Sequence, residues 1–225
     1  MGLFLAMEGI NGAGKGTQAA RLAETAAAAG YRVASFSFPR YDDNPFSDAI
    51  GAYLNGDLGD LDDVPPALSA LLYACDRFHA RPELVAALAA NDLVVCDRYV
   101  ASNLAHQGAQ LEGEARAQLL EWVVAVEYGE FALPHPDVVV LLDAPPALAR
   151  ELVARKGARA YTTLEADIHE SDAGHGAASR AIYLELAERE GWLVVAAASG
   201  DGALRDVEEI SSEIWAALEP RLRTA

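Results

Sequence analysis

The sequence predicts an α/β protein, with five strands alternating with helices in one doubly wound parallel sheet. Three observations predict it. The apolar runs Leu3–Met7, Leu93–Cys96 and Val138–Leu142 have the length and continuity of strands buried on both faces. Segments with helical spacing or no breaker stand between the strands. No repeat or linker divides the 225 residues, so residues 1–225 read as a single domain with a substantial core.

Composition bounds the function. Hydrophobic residues make up 52% of the chain, which excludes disorder. A net charge of −17 argues against a nucleic-acid binder or an anionic-membrane binder. A site for polyanions must then be a local basic pocket in an acidic body. Of the 17 Lys and Arg residues only Lys15 and Lys156 are lysines, which makes each a candidate for a specific task. Cys75 and Cys96 lie in apolar segments and read as buried free thiols in a reducing, cytoplasmic setting. The N-terminus lacks a basic region and Glu8 breaks its apolar run, so it reads as neither signal peptide nor membrane span. Ala6 stands where a myristoylation signal wants Ser or Thr.

The first strand runs into Glu-Gly-Ile-Asn-Gly-Ala-Gly-Lys-Gly-Thr-Gln, residues 8–18, and a helix follows over Thr17–Ala29. Strand, glycine-rich turn and helix are the context of a phosphate-binding loop. Gly9, Ile10, Asn11, Gly12, Ala13, Gly14, Lys15, Gly16 and Thr17 are its candidate nucleotide-binding residues. Successive backbone N–H groups ring an anion there, a helix N-terminus points at it, and Lys15 adds a point charge. Gly16 stands where Ser or Thr usually holds Mg²⁺, and the hydroxyl comes one place later at Thr17.

Gly30 ends the first helix and Tyr31–Phe38 reads as a strand. Phe38, Arg40 and Tyr41 follow at its carboxyl end, the edge where open α/β sheets bind ligands. Asp57, Asp60, Asp62 and Asp63 read as a solvated loop. Pro65-Pro66 opens a helix on which Tyr73 and Arg77, four apart, share a face. A second helical piece runs from Pro82 to Ala90. The third strand ends at Asp97-Arg98-Tyr99. Asp97 is placed to meet Mg²⁺ or its waters, and Arg98 to make bidentate contact with a phosphate. Ser102 reads as the cap of the next helix, on which Asn103, His106 and Gln107 share a face. Glu114–Glu130 reads as one long helix with a broad apolar surface, fit for a core or a subunit interface. After the fourth strand, Pro145-Pro146 opens a helix reaching about Lys156. Arg150, Arg155, Lys156 and Arg159 follow as the densest basic cluster in the chain, read as a mobile flap over phosphates. Helices at Ala177–Glu190 and Leu204–Leu218 flank a last strand, Trp192–Ala198.

Taken together, the phosphate loop, Phe38-Pro39-Arg40, Leu71 to Arg77 and the run Asp97-Arg98-Tyr99-Val100-Ala101-Ser102-Asn103 resemble thymidylate kinase. The resemblance runs from about Leu3 to Glu190. It implies a P-loop kinase fold with a short lid, at about residues 155–165, and usually a homodimer. It also implies conversion of dTMP and MgATP to dTDP and ADP. By the same resemblance Tyr73 stacks on thymine, Arg77 bonds the base edge, Asn103 reaches the base and Arg98 binds the acceptor phosphate near Phe38 and Tyr41. His106 stands where a tyrosine often crowds the ribose 2′ position, and Asp167 and Glu170 match acidic positions after the lid. Lys15, Asp97, Arg98 and the lid residues Arg155 and Arg159 then form the catalytic set, with Asp97 and Thr17 the metal candidates. Asn11, usually aspartate in bacterial members, Gly16 and Tyr73, usually phenylalanine, are departures. Two alternatives stay open. One is a kinase for another pyrimidine nucleotide or deoxynucleoside, and the other is a nucleotide-binding regulatory domain without turnover.

Overall fold

The computed structural model describes residues 1–41, 43–60, 63–155 and 174–223, with the backbone alone of Arg155. Among these residues five strands form one sheet, in the order β2-β3-β1-β4-β5. They are β1 (Leu3–Glu8), β2 (Val33–Ser37), β3 (Leu93–Asp97), β4 (Val138–Asp143) and β5 (Leu193–Ala196). All neighbouring pairs are parallel, with Met7 beside Asp97 and Glu8 beside Leu141. β1, β3 and β4 are apolar because helices cover both faces; Phe4, Leu5, Met7, Val94, Val95, Leu141 and Leu142 are at most 2% exposed. β2 and β5 are edge strands and only partly buried, which is why their sequences are less uniformly apolar.

The helices are α1 (Lys15–Ala28), α2 (Pro45–Leu54), α3 (Pro66–Ala90), α4 (Val100–Gly108), α5 (Gly113–Val124), α6 (Pro146–Arg155), α7 (His175–Glu190) and α8 (Val207–Leu222). A π-helical turn, Ala125–Glu130, continues α5. Among the described residues no helix is long and apolar enough to cross a membrane. β2 and β3 lie on one side of β1 and β4 and β5 on the other, so the crevice of the sheet opens at the carboxyl ends beside β1.

Several local expectations are corrected. α3 runs unbroken through Pro82. A proline inside a helix costs about 3 kcal/mol, but Ala80, Leu84 and Leu88 are buried in the core on either side of it and hold the helix straight through. α2 was not read from the sequence, although Asn44 caps it by accepting from Phe46 N and Ser47 N and Pro45 opens it. Ser102 lies inside α4 and is no cap. The helix expected over Glu114–Glu130 gives way to π geometry at Ala125, and Phe131 N reaches back five residues to Val126 O. Cys96 is buried, but Cys75 only partly. The expected lid falls almost wholly on residues 156–173, and with it Lys156, Arg159, Asp167 and Glu170, outside the described residues.

Candidate active site

Glu8 is the last residue of β1 and fully buried. Its Oε1 accepts from Tyr99 N at 2.8 Å and Ser102 N at 3.2 Å, and its Oε2 accepts from Ser102 Oγ at 2.6 Å. Tyr183 Oη on α7 lies 3.1 Å from Glu8 Oε2 and 2.9 Å from Ser102 Oγ. Burial pushes the Glu8 carboxyl above the usual carboxylate range, while the Ser102 bond and the charges of Arg98 and Lys15 act against that rise. One carboxylate thus ties the phosphate loop to the turn after β3.

The loop needs its glycines. Gly12 has φ +83° and faces α6, where a Cβ would meet Ala149 O at 2.1 Å. Ile10 and Ala13 are buried beneath the loop, and Lys15 Nζ donates to Ile10 O at 2.9 Å. Gly14, in left-handed geometry, is the N-cap of α1, so its first turn faces the crevice. Thr17 is exposed on that turn.

Arg98 has φ +67°, a conformation unusual for a side chain of its size. The turn aims its guanidinium back at the loop. It donates to Gly9 O at 3.3 Å, Ser102 Oγ at 3.0 Å, and Asn11 Oδ1. It also lies 3.1 Å from His106 Nε2. All three contacts to Gly9 O, Ser102 Oγ and His106 Nε2 come from Nη1, whose two hydrogens they share. His106 Nδ1 lies 3.3 Å from His175 Nε2, with the two rings stacked at 5.5 Å. Next to Arg98, Asp97 Oδ1 is buried without a hydrogen-bond partner, and Oδ2 would lie 3.0 Å from a Cβ on Gly16.

A cavity of about 290 Å³ opens from the loop toward α3 and α4. Asn11, Gly12, Gly14, Lys15, Gly16, Asp97 and Arg98 line one end. Phe38, Tyr41, Tyr73, Arg77, Asn103, His106 and Gln107 line the rest. Arg40 is not on its wall; its guanidinium pairs with Asp43 at 3.0 Å and Glu83 at 2.9 Å. Its backbone N–H instead donates to Asp76 at 3.0 Å, and Asn44 Nδ2 donates to the other oxygen of Asp76 at 2.7 Å. Buried Asp76 thereby fixes the loop that carries Tyr41. Gln107 Oε1 accepts from Ser69 Oγ at 2.9 Å and Gln110 Nε2 at 2.7 Å. Arg77 is locked to Glu127 by two bonds, Nε to Oε2 at 2.5 Å and Nη2 to Oε1 at 2.7 Å.

Sequence reading missed Glu8, Asp76 and Glu127 as organisers of the site. Glu8 and Glu127 each interrupt an apolar run, and that was their available signal.

A thymidylate kinase family model matches residues 7–210. The chain belongs to the thymidylate kinase family. The thymidylate kinase of Mycobacterium tuberculosis is 37% identical over 205 residues, covering 90% of this chain and 95% of that protein. The thymidylate kinase of Leifsonia xyli is 37% identical over 227 residues, covering 98% and 96%. That of Deinococcus radiodurans is 33% identical over 225 residues, covering 98% of each. The solved thymidylate kinase of Candida albicans shares the fold, with a TM-score of 0.75 at 20% identity, covering 98% of this chain and 92% of that one.

Glu8→Ala would leave the N–H groups of Tyr99 and Ser102 buried without their acceptor. Each such loss costs about 1–3 kcal/mol. The melting temperature should fall by roughly 5–15 °C in calorimetry. An unchanged value would mean that the carboxylate does not hold the turn.

Proposed function

We infer that this chain transfers the γ-phosphoryl group of ATP to the phosphate of dTMP, giving dTDP and ADP. Family membership across residues 7–210 carries this reading, and it favours dTMP over another acceptor and turnover over mere binding. Lys15 and Arg98, facing one cavity from two elements, support it.

The acceptor oxygen is already anionic, so no general base is needed. Catalysis then consists of holding two phosphates in line and neutralising their repulsion. The loop N–H groups and Lys15 hold the donor phosphates, and Arg98 holds the acceptor phosphate. Arg155 and Arg159 would add charge from the lid. Toward α3 and α4, Tyr73 stacks on the base while Arg77 and Asn103 meet its edge. Tyr41 and the Phe38 backbone lie on the acceptor's path, and His106 borders its sugar.

Mg²⁺ suits this site. Asp97 offers a buried carboxylate oxygen with no hydrogen-bond partner, beside the loop. Among the described residues no three His, Cys, Asp or Glu side chains gather to hold an ion, so nucleotide oxygens and water would complete the shell, with Thr17 a further oxygen donor. When bound, the ion supplies charge neutralisation on the donor phosphates.

The protein acts as a cytoplasmic homodimer in this reading. Leu68, Phe78 and Val85 of α3 and Trp122 and Val124 of α5 are large exposed apolar residues on two helices that pack together.

A coupled ADP-release assay with dTMP tests the activity. Lys15→Ala and Arg98→Ala should each lose roughly 100-fold or more in kcat, with melting close to wild type; near-normal turnover removes that residue from the site. In Mg²⁺ titrations at saturating ATP, Asp97→Asn should lower kcat and demand more metal. Asn11→Ala should mainly raise KM for dTMP. The reverse pattern would deny Asp97 its role as the metal's main protein partner. Light scattering at micromolar concentration should give a dimer mass, and a monomer mass would count against the interface.

A further inference from the structure

Leu119, Val123 and Glu127 follow one another at four-residue spacing on the buried face of α5 and its π-helical extension. The third is a carboxylate, 0% exposed, where the stripe calls for an apolar side chain. Burying a carboxylate is expensive unless donors surround it. Here Arg77 gives it two bonds and Asn103 Nδ2 a third, to Oε1 at 2.8 Å. The π geometry that carries Glu127 is of a kind common at functional sites.

The second Nδ2 hydrogen of Asn103 goes to Ala70 O at 3.0 Å. Both partners of that nitrogen are acceptors only, a carboxylate oxygen and a backbone carbonyl. Turned over, the amide would set its own oxygen against both. Its orientation is therefore fixed by its neighbours. The atom left over is Oδ1, which is buried and has no hydrogen-bond partner, on a residue that lines the cavity. Beside it on the same Glu127 oxygen sits Arg77, which also lines the cavity and has only donors.

We propose that Glu127 is a specificity-determining positioning residue. It fixes Asn103 as an acceptor beside Arg77 as a donor, so that the cavity reads a base edge carrying a donor next to an acceptor. The inference rests on the reading that this cavity takes the acceptor base. Thymine and uracil present that edge, N3–H beside O4. Cytosine presents its inverse, a bare N3 beside an amine. Against the fixed pair, cytosine N3 meets the Asn103 oxygen and its amine meets the guanidinium. Both contacts leave buried polar groups unpaired, and sites built to hydrogen-bond reject such mismatches strongly.

Steady-state kinetics with dTMP, dUMP and dCMP, on the full chain and on Glu127→Met, test this. Methionine is of similar length but has no oxygen to accept from Asn103, which removes one of the two acceptors that pin the amide. The dCMP-to-dTMP ratio of kcat/KM should rise roughly tenfold or more. The dUMP-to-dTMP ratio should stay unchanged, because those two bases share one edge. Glu127→Asp keeps the buried charge opposite Arg77 but is too short to serve both partners, and should raise the dCMP-to-dTMP ratio if the methionine variant does not fold. A wild type that uses dCMP as well as dTMP would overturn the reading of the cavity and the inference with it. A wild type that discriminates, with variants that lose activity on dTMP and dCMP in equal proportion, leaves the cavity reading intact and overturns the role of Glu127.

Discussion

The site depends on one buried carboxylate. Glu8 ends the central strand, and its two oxygens gather the backbone of Tyr99 and Ser102, the Ser102 hydroxyl and, from α7, the Tyr183 hydroxyl. Those bonds anchor the turn in which Arg98 adopts its left-handed conformation. A conformation of this kind persists only where the surroundings over-determine it. Here they do, because the residue after Arg98 is bonded to β1 through Glu8 and Arg98 N donates to Met7 O at 3.0 Å. The guanidinium lies between the phosphate loop, at Gly9 and Asn11, and α4, at Ser102 and His106.

The same device recurs twice. Asp76 holds the loop after β2 through Arg40 N and Asn44, and Glu127 holds Arg77 and Asn103. In each case a buried acid is surrounded by donors and fixes a segment that carries residues of the cavity wall, Tyr41 in the case of Asp76. Rigid positioning of this sort suits a reaction whose chemistry asks for alignment more than for proton transfer. It also explains how an acidic chain with net charge −17 can hold anions. Exposed charges are screened beyond about 10 Å, while Lys15 and Arg98 act across the cavity itself.

Much of this was legible in the sequence because it is local. The continuous apolar runs gave β1, β3 and β4, and the glycine spacing before Lys15 gave the loop. The end of β3 gave Asp97 and Arg98. The rest needed partners distant in the chain. Glu127 acquires its meaning from Arg77, fifty residues earlier, and Ser102 from Glu8. Pro82 reads as a break until the burial of Ala80, Leu84 and Leu88 is known. Arg40 sits in a motif beside the cavity, yet its charge is taken up by Asp43 and Glu83. α2 was legible in Asn44-Pro45 but was obscured by the Asp- and Gly-rich stretch after it.

Two departures of the loop, Asn11 and Gly16, belong together. An aspartate at position 11 would form an ion pair with Arg98, whereas the neutral amide of Asn11 accepts the same hydrogen bond and adds no further negative charge beside the guanidinium. In the proposed reading, more of the field of Arg98 then falls on the acceptor phosphate. The loop loses a carboxylate in the exchange, and Asp97 becomes the acidic group that lines the loop end of the cavity. Gly16 leaves it undisturbed, because a Cβ there would sit 3.0 Å from Asp97 Oδ2 and require the carboxylate to give by a few tenths of an ångström. In the proposed reading, the missing side chain at position 16 and the missing charge at position 11 thus act in one direction, leaving Asp97 to meet the cation and Arg98 to meet the acceptor phosphate.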